Sequence, residues 1–162
     1  MKKTISFLLV ACLTFLLIAC SNDDVNEEKS GDRIEVQHEL DTDPVNVPEN
    51  PERIVVFDLG ALDTIQFLGE EDRVIGLPKA TIPHYLEEFA SDEYENYGSL
   101  KEPEFEKIHA ANPDLIIISN RQMELYDQFK EIAPTIYLDI DTHNYLNDFE
   151  KNAKLLGKIL NK

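Results

Sequence analysis

Short apolar runs separated by polar stretches succeed one another along most of the chain. Four runs are rich in β-branched and aliphatic residues and are only three or four residues long: Ile54–Phe57, Val74–Gly76, Leu115–Ile118 and Thr135–Leu138. Such runs are typical of strands buried on both faces of a parallel sheet. Upstream of them, Arg33–His38 alternates polar and apolar positions, which predicts a half-buried strand, and the proline-rich stretch 41–52 predicts a turn or an edge hairpin.

Helical spacing fills the intervals between these runs. Ala61, Ile65 and Leu68 recur on one helical face, and Gly69 follows them as a C-cap. Further helices are predicted at Tyr85–Phe89, from Pro103 to Asn112, at Met123–Ile132, and along a final amphipathic stripe of Tyr145, Phe149, Leu156 and Leu160. Strands that alternate with helices through short Gly- and Pro-containing connections predict an α/β fold with a parallel sheet.

Pro103 suits the first position of its helix, with Phe105 and Ile108 facing inward, and the stretch 94–100 before it is predicted to be a loop. Ligands of parallel sheets bind beyond the carboxyl ends of the strands. Four loops follow strands in this way and are the candidate binding loops: Asp58–Gly60, Leu77–His84, Ser119–Gln122 and Asp139–His143.

The first 32 residues predict processing signals rather than a folded domain. Lys2 and Lys3 precede an apolar stretch that is too short for an ordinary transmembrane helix and ends in Ala19-Cys20. This arrangement resembles a bacterial lipobox, which predicts a signal peptide at 1–19, lipid on Cys20, a flexible acidic tether at 20–32 and a domain at 33–162. The alternative is a plain signal peptide with a coincidental cysteine.

Composition then excludes several classes of function. The 162 residues include 32 acidic and 15 basic side chains, a formal charge of −17, which argues against nucleic-acid binding and against docking on anionic lipid through the protein surface. Both cysteines lie in the predicted leader and lipidation site, so thiol chemistry is not expected. Glycine-rich nucleotide motifs, a GxSxG elbow and paired metal-ligand histidines are missing, so we expect neither an enzyme nor a protein-bound metal or cofactor.

Two blocks of sequence resemble one known family. Asn50–Phe57 resembles the first core strand of iron–siderophore substrate-binding lipoproteins of ABC importers, and the region from Gly98 through Ile108 to Asn112–Ile117 resembles their G-S-L-x-x-P-x-x-E-x-I and P-D-L-I block. The resemblance runs from about Ile34 to the C-terminus. It implies a Rossmann-like lobe of a two-lobed periplasmic-binding-protein fold, with the second lobe missing from this truncated chain.

The same resemblance implies a function and a location. The expected protein is lipid-anchored on the extracytoplasmic face of the cell membrane, binds an anionic ferric siderophore of catecholate type, and delivers it to an ABC permease. Two alternatives remain open: a haem or cobalamin-type binding lipoprotein on the same scaffold, with Met123 or His84 as an axial haem ligand, and a non-functional fragment. For Met123 a second prediction is a structural role as a core methionine.

The resemblance and the chemistry together select candidate ligand residues. Family members that bind catecholates often carry an arginine in the loop that holds Arg121, and a guanidinium suits a cluster of anionic oxygens. Lys79 is the second candidate cation, and Tyr85 and Tyr126 could stack on catechol rings. The alternatives are an Arg121–Glu124 surface pair, a solvated lysine and structural tyrosines.

A separate surface is implied for the permease. Glu106 matches the family's glutamate that docks onto permease arginines, and Glu104 lies beside it in an acidic cluster around Pro103. A solvated helix face is the alternative for both residues.

Overall fold

A computed structural model describes residues 32–162 of the chain. The predicted signal peptide, Cys20 and the tether up to residue 31 lie outside the described residues. The described part begins with an antiparallel hairpin of β1 (Arg33–Val36) and β2 (Val45–Pro48), which pair Arg33 with Pro48. This confirms the predicted strand and hairpin.

The centre of the fold is a five-stranded parallel sheet. Its strands are β3 (Ile54–Val56), β4 (Val74–Leu77), β5 (Glu95–Asn96), β6 (Leu115–Ile118) and β7 (Thr135–Tyr137). They lie in the order β5-β4-β3-β6-β7, so the chain starts in the middle, moves to one edge, crosses over and finishes at the other edge. This is the strand order of a Rossmann-like sheet, which confirms the predicted fold class.

Both faces of the sheet are buried, which explains why its strands read as unbroken apolar runs. Ile54, Val56 and Ile117 belong to one apolar cluster, whereas their sequence neighbours Val55 and Ile116 belong to the cluster on the opposite face. Consecutive side chains of a strand point to opposite sides. Each core strand therefore needs apolar residues at every position.

Within residues 32–162, four α-helices and three 3-10 turns connect the strands. The helices are α1 (Leu59–Phe67), α2 (Phe105–Ala111), α3 (Tyr126–Lys130) and α4 (Tyr145–Ile159), and the 3-10 turns are Glu71–Arg73, His84–Ala90 and Asn120–Leu125. Gly69 follows α1 in the left-handed region, at φ +71°, which glycine adopts without strain. Among residues 32–162 no helix is long and apolar enough to cross a membrane.

Three local predictions are wrong. The helix predicted from Pro103 begins only at Phe105, because Pro103 forms an isolated antiparallel bridge with Gly98. The predicted loop 94–100 contains β5, a two-residue edge strand too short to leave a pattern. The helix predicted over 123–132 is divided between a 3-10 turn and α3, since Ser119 and Gln122 fix a tight turn at its start.

The predicted apolar stripe of α4 is buried along only half its length. Leu156 and Leu160 lie in the core, but Tyr145 and Phe149 are 52% and 43% exposed. The two exposed rings stack parallel on each other with centroids 6.3 Å apart. The prediction that Met123 is a core residue is also wrong, because its side chain is 39% exposed.

Candidate functional site

The strand order creates a crevice between β3 and β6. The chain leaves β3 towards β4 on one side, and it leaves β6 towards β7 on the other side. The loops after the two central strands therefore diverge, and ligands of open α/β sheets bind at this switch in direction. Asp58 follows β3 here, and Arg121 lies in the loop after β6.

A groove of about 600 Å³ occupies this position. An adjoining groove of about 410 Å³ shares Thr81, Leu100 and Arg121 with it. We call the two together the switch-point groove. Its larger part is lined by residues from all four predicted binding loops, among them Asp58, Leu59, Thr81, Pro83, Asn120, Arg121, Asp139, Ile140 and Thr142.

The loop after β6 is held in place by a buried glutamine. Gln122 is fully buried; its side-chain carbonyl accepts a hydrogen bond from the Ser119 amide at 3.1 Å, and its amide group donates to the Leu100 carbonyl. Gln122 is not among the predicted site residues, although the Ser-x-x-Gln spacing is a recognisable capping pattern. The turn leaves the Arg121 side chain exposed in the groove, and no ion pair with Glu124 forms among residues 32–162.

The loop after β3 is shaped by Asp58, the N-cap of α1. Its Oδ1 accepts hydrogen bonds from the Gly60 amide at 2.7 Å and from the Ala61 amide at 3.0 Å. Burial raises the pKa of the Asp58 carboxyl group, and these amides and the positive charge of Arg121 oppose that rise. Asp58 and Arg121 are therefore electrostatically coupled across the groove.

The larger groove combines charged and apolar lining residues. Among them Arg121 is the cation and Asp58 and Asp139 are the carboxylates, with Asp139 accepting a hydrogen bond from the Tyr137 hydroxyl at 3.1 Å. The lining also includes the apolar and aromatic side chains of Leu59, Leu138, Ile140 and Tyr145. Such a groove offers an anionic aromatic ligand both a charge partner and a surface for its rings.

Three predicted ligand residues lie outside the groove lining. The Lys79 ammonium donates to the Ser91 carbonyl at 2.5 Å. Tyr126 is buried and donates its hydroxyl to Asp41 at 3.0 Å, and burial together with Asp41 raises its pKa. Tyr85 is 62% exposed on the turn after Pro83. These positions favour structural roles for Lys79 and Tyr126, and the ligand roles of all three remain predictions.

The predicted permease-docking residues lie at the start of α2. Glu104 precedes the helix and pairs with Lys107 at 2.9 Å, while Glu106 is exposed beside a groove of about 490 Å³ between α2 and α3. Neither carboxylate lines the switch-point groove, and the same holds for Met123 and His84. Within residues 32–162 no group of three or more His, Cys, Asp or Glu is placed to hold a metal ion.

A Rossmann-like sheet with an open groove at its switch point defines an α/β domain with a candidate ligand site at its strand ends. The chain belongs to the periplasmic binding protein family, whose model matches residues 54–162. This membership confirms the resemblance on which the expected fold rests.

Curated relatives indicate which members of this family the chain resembles. The chain is 46% identical to the petrobactin-binding protein YclQ of Bacillus subtilis over 164 residues, which cover 99% of this chain and 52% of YclQ. It is 34% identical to the putative ABC transporter substrate-binding lipoprotein YhfQ of Bacillus subtilis, over 98% of this chain and 50% of the relative. The chain thus spans about half the length of the curated relatives it matches.

Solved structures agree with this placement. The crystal structure of YclQ matches with a TM-score of 0.79 and 51% identity, over 81% of this chain and 46% of that chain. The periplasmic catecholate-siderophore binding protein VctP of Vibrio cholerae matches with a TM-score of 0.71 and 33% identity, over 80% and 46% of the two chains. These relatives are substrate-binding proteins rather than enzymes, and their siderophore ligands do not favour the haem or cobalamin alternative.

Proposed function

We propose that this chain is the substrate-binding component of an ABC importer for iron and that it binds an anionic ferric siderophore, of catecholate type, in the switch-point groove. The observation that carries the proposal is Arg121, an exposed cation at the crevice between β3 and β6. The siderophore-binding relatives support the same class of ligand.

Binding follows from the chemistry of the residues that line the groove. Iron is held by the oxygens of the siderophore, so the protein needs to recognise only the outer surface of the complex. The Arg121 guanidinium donates hydrogen bonds to anionic catecholate oxygens, and it supplies positive potential locally in a chain of net charge −17. Tyr145 and the aliphatic side chains of the lining cover catechol rings.

The proposal also covers anchoring and delivery. Lipid on Cys20 would tether the domain to the extracytoplasmic face of the membrane, in line with the lipoprotein description of YhfQ. Glu106 and Glu104 would meet cationic residues of the permease from the start of α2. Both carboxylates are exposed, as a docking surface for cations requires.

A fluorescence titration tests the role of Arg121. The chain has six tyrosines and no tryptophan, so quenching of tyrosine emission by ferri-bacillibactin, a ferric triscatecholate, reports binding without a label. We expect Arg121→Ala to weaken binding about tenfold or more, because a charge-assisted hydrogen bond is lost. Arg121→Lys should fall between the two, since it keeps the charge but loses the planar fork of donors.

Lys154→Ala is the matched control. Lys154 is an exposed cation on α4 that pairs with Glu150, and it does not line the groove. Its removal changes the net charge by the same amount as the Arg121→Ala substitution and should alter affinity by less than about twofold. Equal affinity of Arg121→Ala and wild type would refute the proposed contact between Arg121 and the ligand.

A further inference from the structure

The groove contains a carboxylate, Asp58. A site that only had to bind an anion would be better without this negative charge. Asp58 lines the groove at the end of β3, and burial already disfavours its charged form. The negative charge of Asp58 would repel an anionic ferric complex and weaken the attraction of Arg121. The proposed function does not account for this residue.

Helix capping explains an oxygen at this position but not a charge. Only Oδ1 of Asp58 accepts the Gly60 and Ala61 amides, and no donor among residues 32–162 contacts Oδ2. Asparagine caps helices about as well as aspartate does. The capping role therefore needs the side-chain oxygen, while the charge remains available for another role.

The geometry of the central strands places this charge beside Arg121. β3 and β6 are adjacent and parallel, Val56 pairs with Ile117, and the Phe57 amide donates to the Ile117 carbonyl at 2.8 Å. The residues that follow the two strands therefore emerge side by side at the same edge of the sheet. A ligand in the groove meets both charges at once.

We propose that Asp58 is a specificity-determining residue of the switch-point groove, whose negative charge offsets that of Arg121 and makes the groove discriminate against ferric complexes of higher negative charge. This inference rests on the proposed function. It assigns selectivity by charge to a residue whose local structural role an uncharged side chain could fill.

The test compares an anionic ligand, whose affinity should depend on the charge of Asp58, with a neutral ligand, whose affinity should not. Ferri-bacillibactin is a triscatecholate and carries a negative charge. Ferrichrome is a neutral complex, because three singly charged hydroxamates balance the charge of ferric iron. In the full chain, we expect Asp58→Asn to raise affinity for ferri-bacillibactin about fivefold or more, as removal of one charge within several ångströms predicts. Affinity for ferrichrome should change by less than about twofold. Asp63→Asn is the control, because Asp63 is an exposed acid of the same helix that does not line the groove.

Three results would overturn the inference: an unchanged or lower affinity of Asp58→Asn for ferri-bacillibactin, an equal gain for both ligands, or the same gain with Asp63→Asn. Arg121→Ala reports separately on the proposed function. If Arg121→Ala has no effect while Asp58→Asn raises only the anionic affinity, the proposed contact fails and charge selection by Asp58 stands. The thermal midpoint of Asp58→Asn should match that of wild type, which separates selectivity from a loss of fold.

A measurement on the ligand-free protein tests the same inference if neither ferric complex binds. We expect the NMR titration of the Asp58 carboxyl group to move to higher pH in Arg121→Gln, because the opposing cation is gone. An unshifted titration would show that the two charges do not offset each other, and the inference would fail whatever the ligand.

Discussion

At the scale of single residues, Gly76 shows how closely backbone and side chains approach within the sheet. It pairs with Glu95 of the edge strand β5, and a Cβ built on Gly76 would overlap the Tyr97 ring and lie 2.5 Å from the Glu95 carbonyl oxygen. The Tyr97 ring is itself buried and cannot swing away freely. Only glycine therefore fits at this point of β4.

We expect Gly76→Ala to lower the free energy of unfolding by about 1–3 kcal/mol, the usual cost of overpacking a core. Urea denaturation followed by circular dichroism measures the change. Gly157→Ala on α4 is the control, because its Cβ would meet the Lys162 carbonyl at an ordinary 3.5 Å. Replacing that helical glycine should stabilise the protein by up to about 1 kcal/mol. Equal stability of Gly76→Ala and wild type would contradict the close approach.

At the scale of elements, His38 joins the β1–β2 hairpin to the sheet. One ring nitrogen, Nδ1, accepts the Leu40 amide at 3.3 Å, and the other, Nε2, lies 3.3 Å from the Thr135 carbonyl oxygen. A carbonyl can only accept, so Nε2 carries the hydrogen and the ring is neutral. Beside it, Asp41 accepts hydrogen bonds from Tyr126 and Lys130 of α3.

Protonation of His38 would place a hydrogen on Nδ1, against the Leu40 amide. Burial lowers the pKa of His38 below its ordinary 6.5, although Thr135, Asp41 and Glu39 oppose the shift and Lys130 adds to it. The unfolded chain therefore takes up this proton first as the pH falls. We expect the free energy of unfolding to decrease from about pH 6.5 downwards, until the folded protein is protonated as well.

Urea denaturation between about pH 7 and pH 5 measures this dependence, in a range where most carboxyl groups stay charged. His38→Gln should flatten the slope, because the replacement does not titrate. His143→Gln is the control, since the His143 side chain is 93% exposed in the loop after β7. A slope that survives in His38→Gln but disappears in His143→Gln would refute the assignment.

At the scale of the described domain, the two apolar clusters share one sheet. Alternate residues of β3, β6 and β7 belong to the two clusters on opposite faces of the sheet. Disrupting one cluster therefore also disrupts the strands that support the other. α1 and α4 pack with the hairpin on one face, and α2 and α3 pack on the other. Such sharing couples the two faces into a single folding unit.

We expect one cooperative unfolding transition, with tyrosine fluorescence and far-ultraviolet circular dichroism giving the same midpoint. Ile116→Val and Ile117→Val remove one methylene group from opposite faces of β6. Each should lower the stability of that single transition by about 0.5–1.5 kcal/mol, with the two probes shifting together. Probes that separate in either variant would contradict the shared core, and a chain without a cooperative transition would support the alternative of a non-functional fragment.

The fold of residues 32–162 can be predicted from the sequence wherever burial imposes a local pattern of apolar residues. Leu115–Ile118 was predicted as a strand because a strand covered on both faces admits no polar position. β5 has no such pattern, since a two-residue edge strand depends on its neighbour rather than on its own composition. The exposure of Tyr145 and Phe149 was equally hidden, because helical spacing alone does not say how far along α4 the core extends.

The candidate site likewise has features that the sequence predicts and features that only the tertiary structure reveals. The sequence by itself determined the α/β class and the loops at the strand ends, since apolar periodicity and turn residues act through residues close together in the chain. It also gave Arg121 as the candidate cation, through the family resemblance and the chemistry of anion recognition. Only the tertiary structure decided that Asp58 faces the same groove, that the Lys79 ammonium is bound to the Ser91 carbonyl, and that Tyr126 is buried against Asp41. The physical reason is that each contact joins segments distant in sequence, and only folding brings these side chains together.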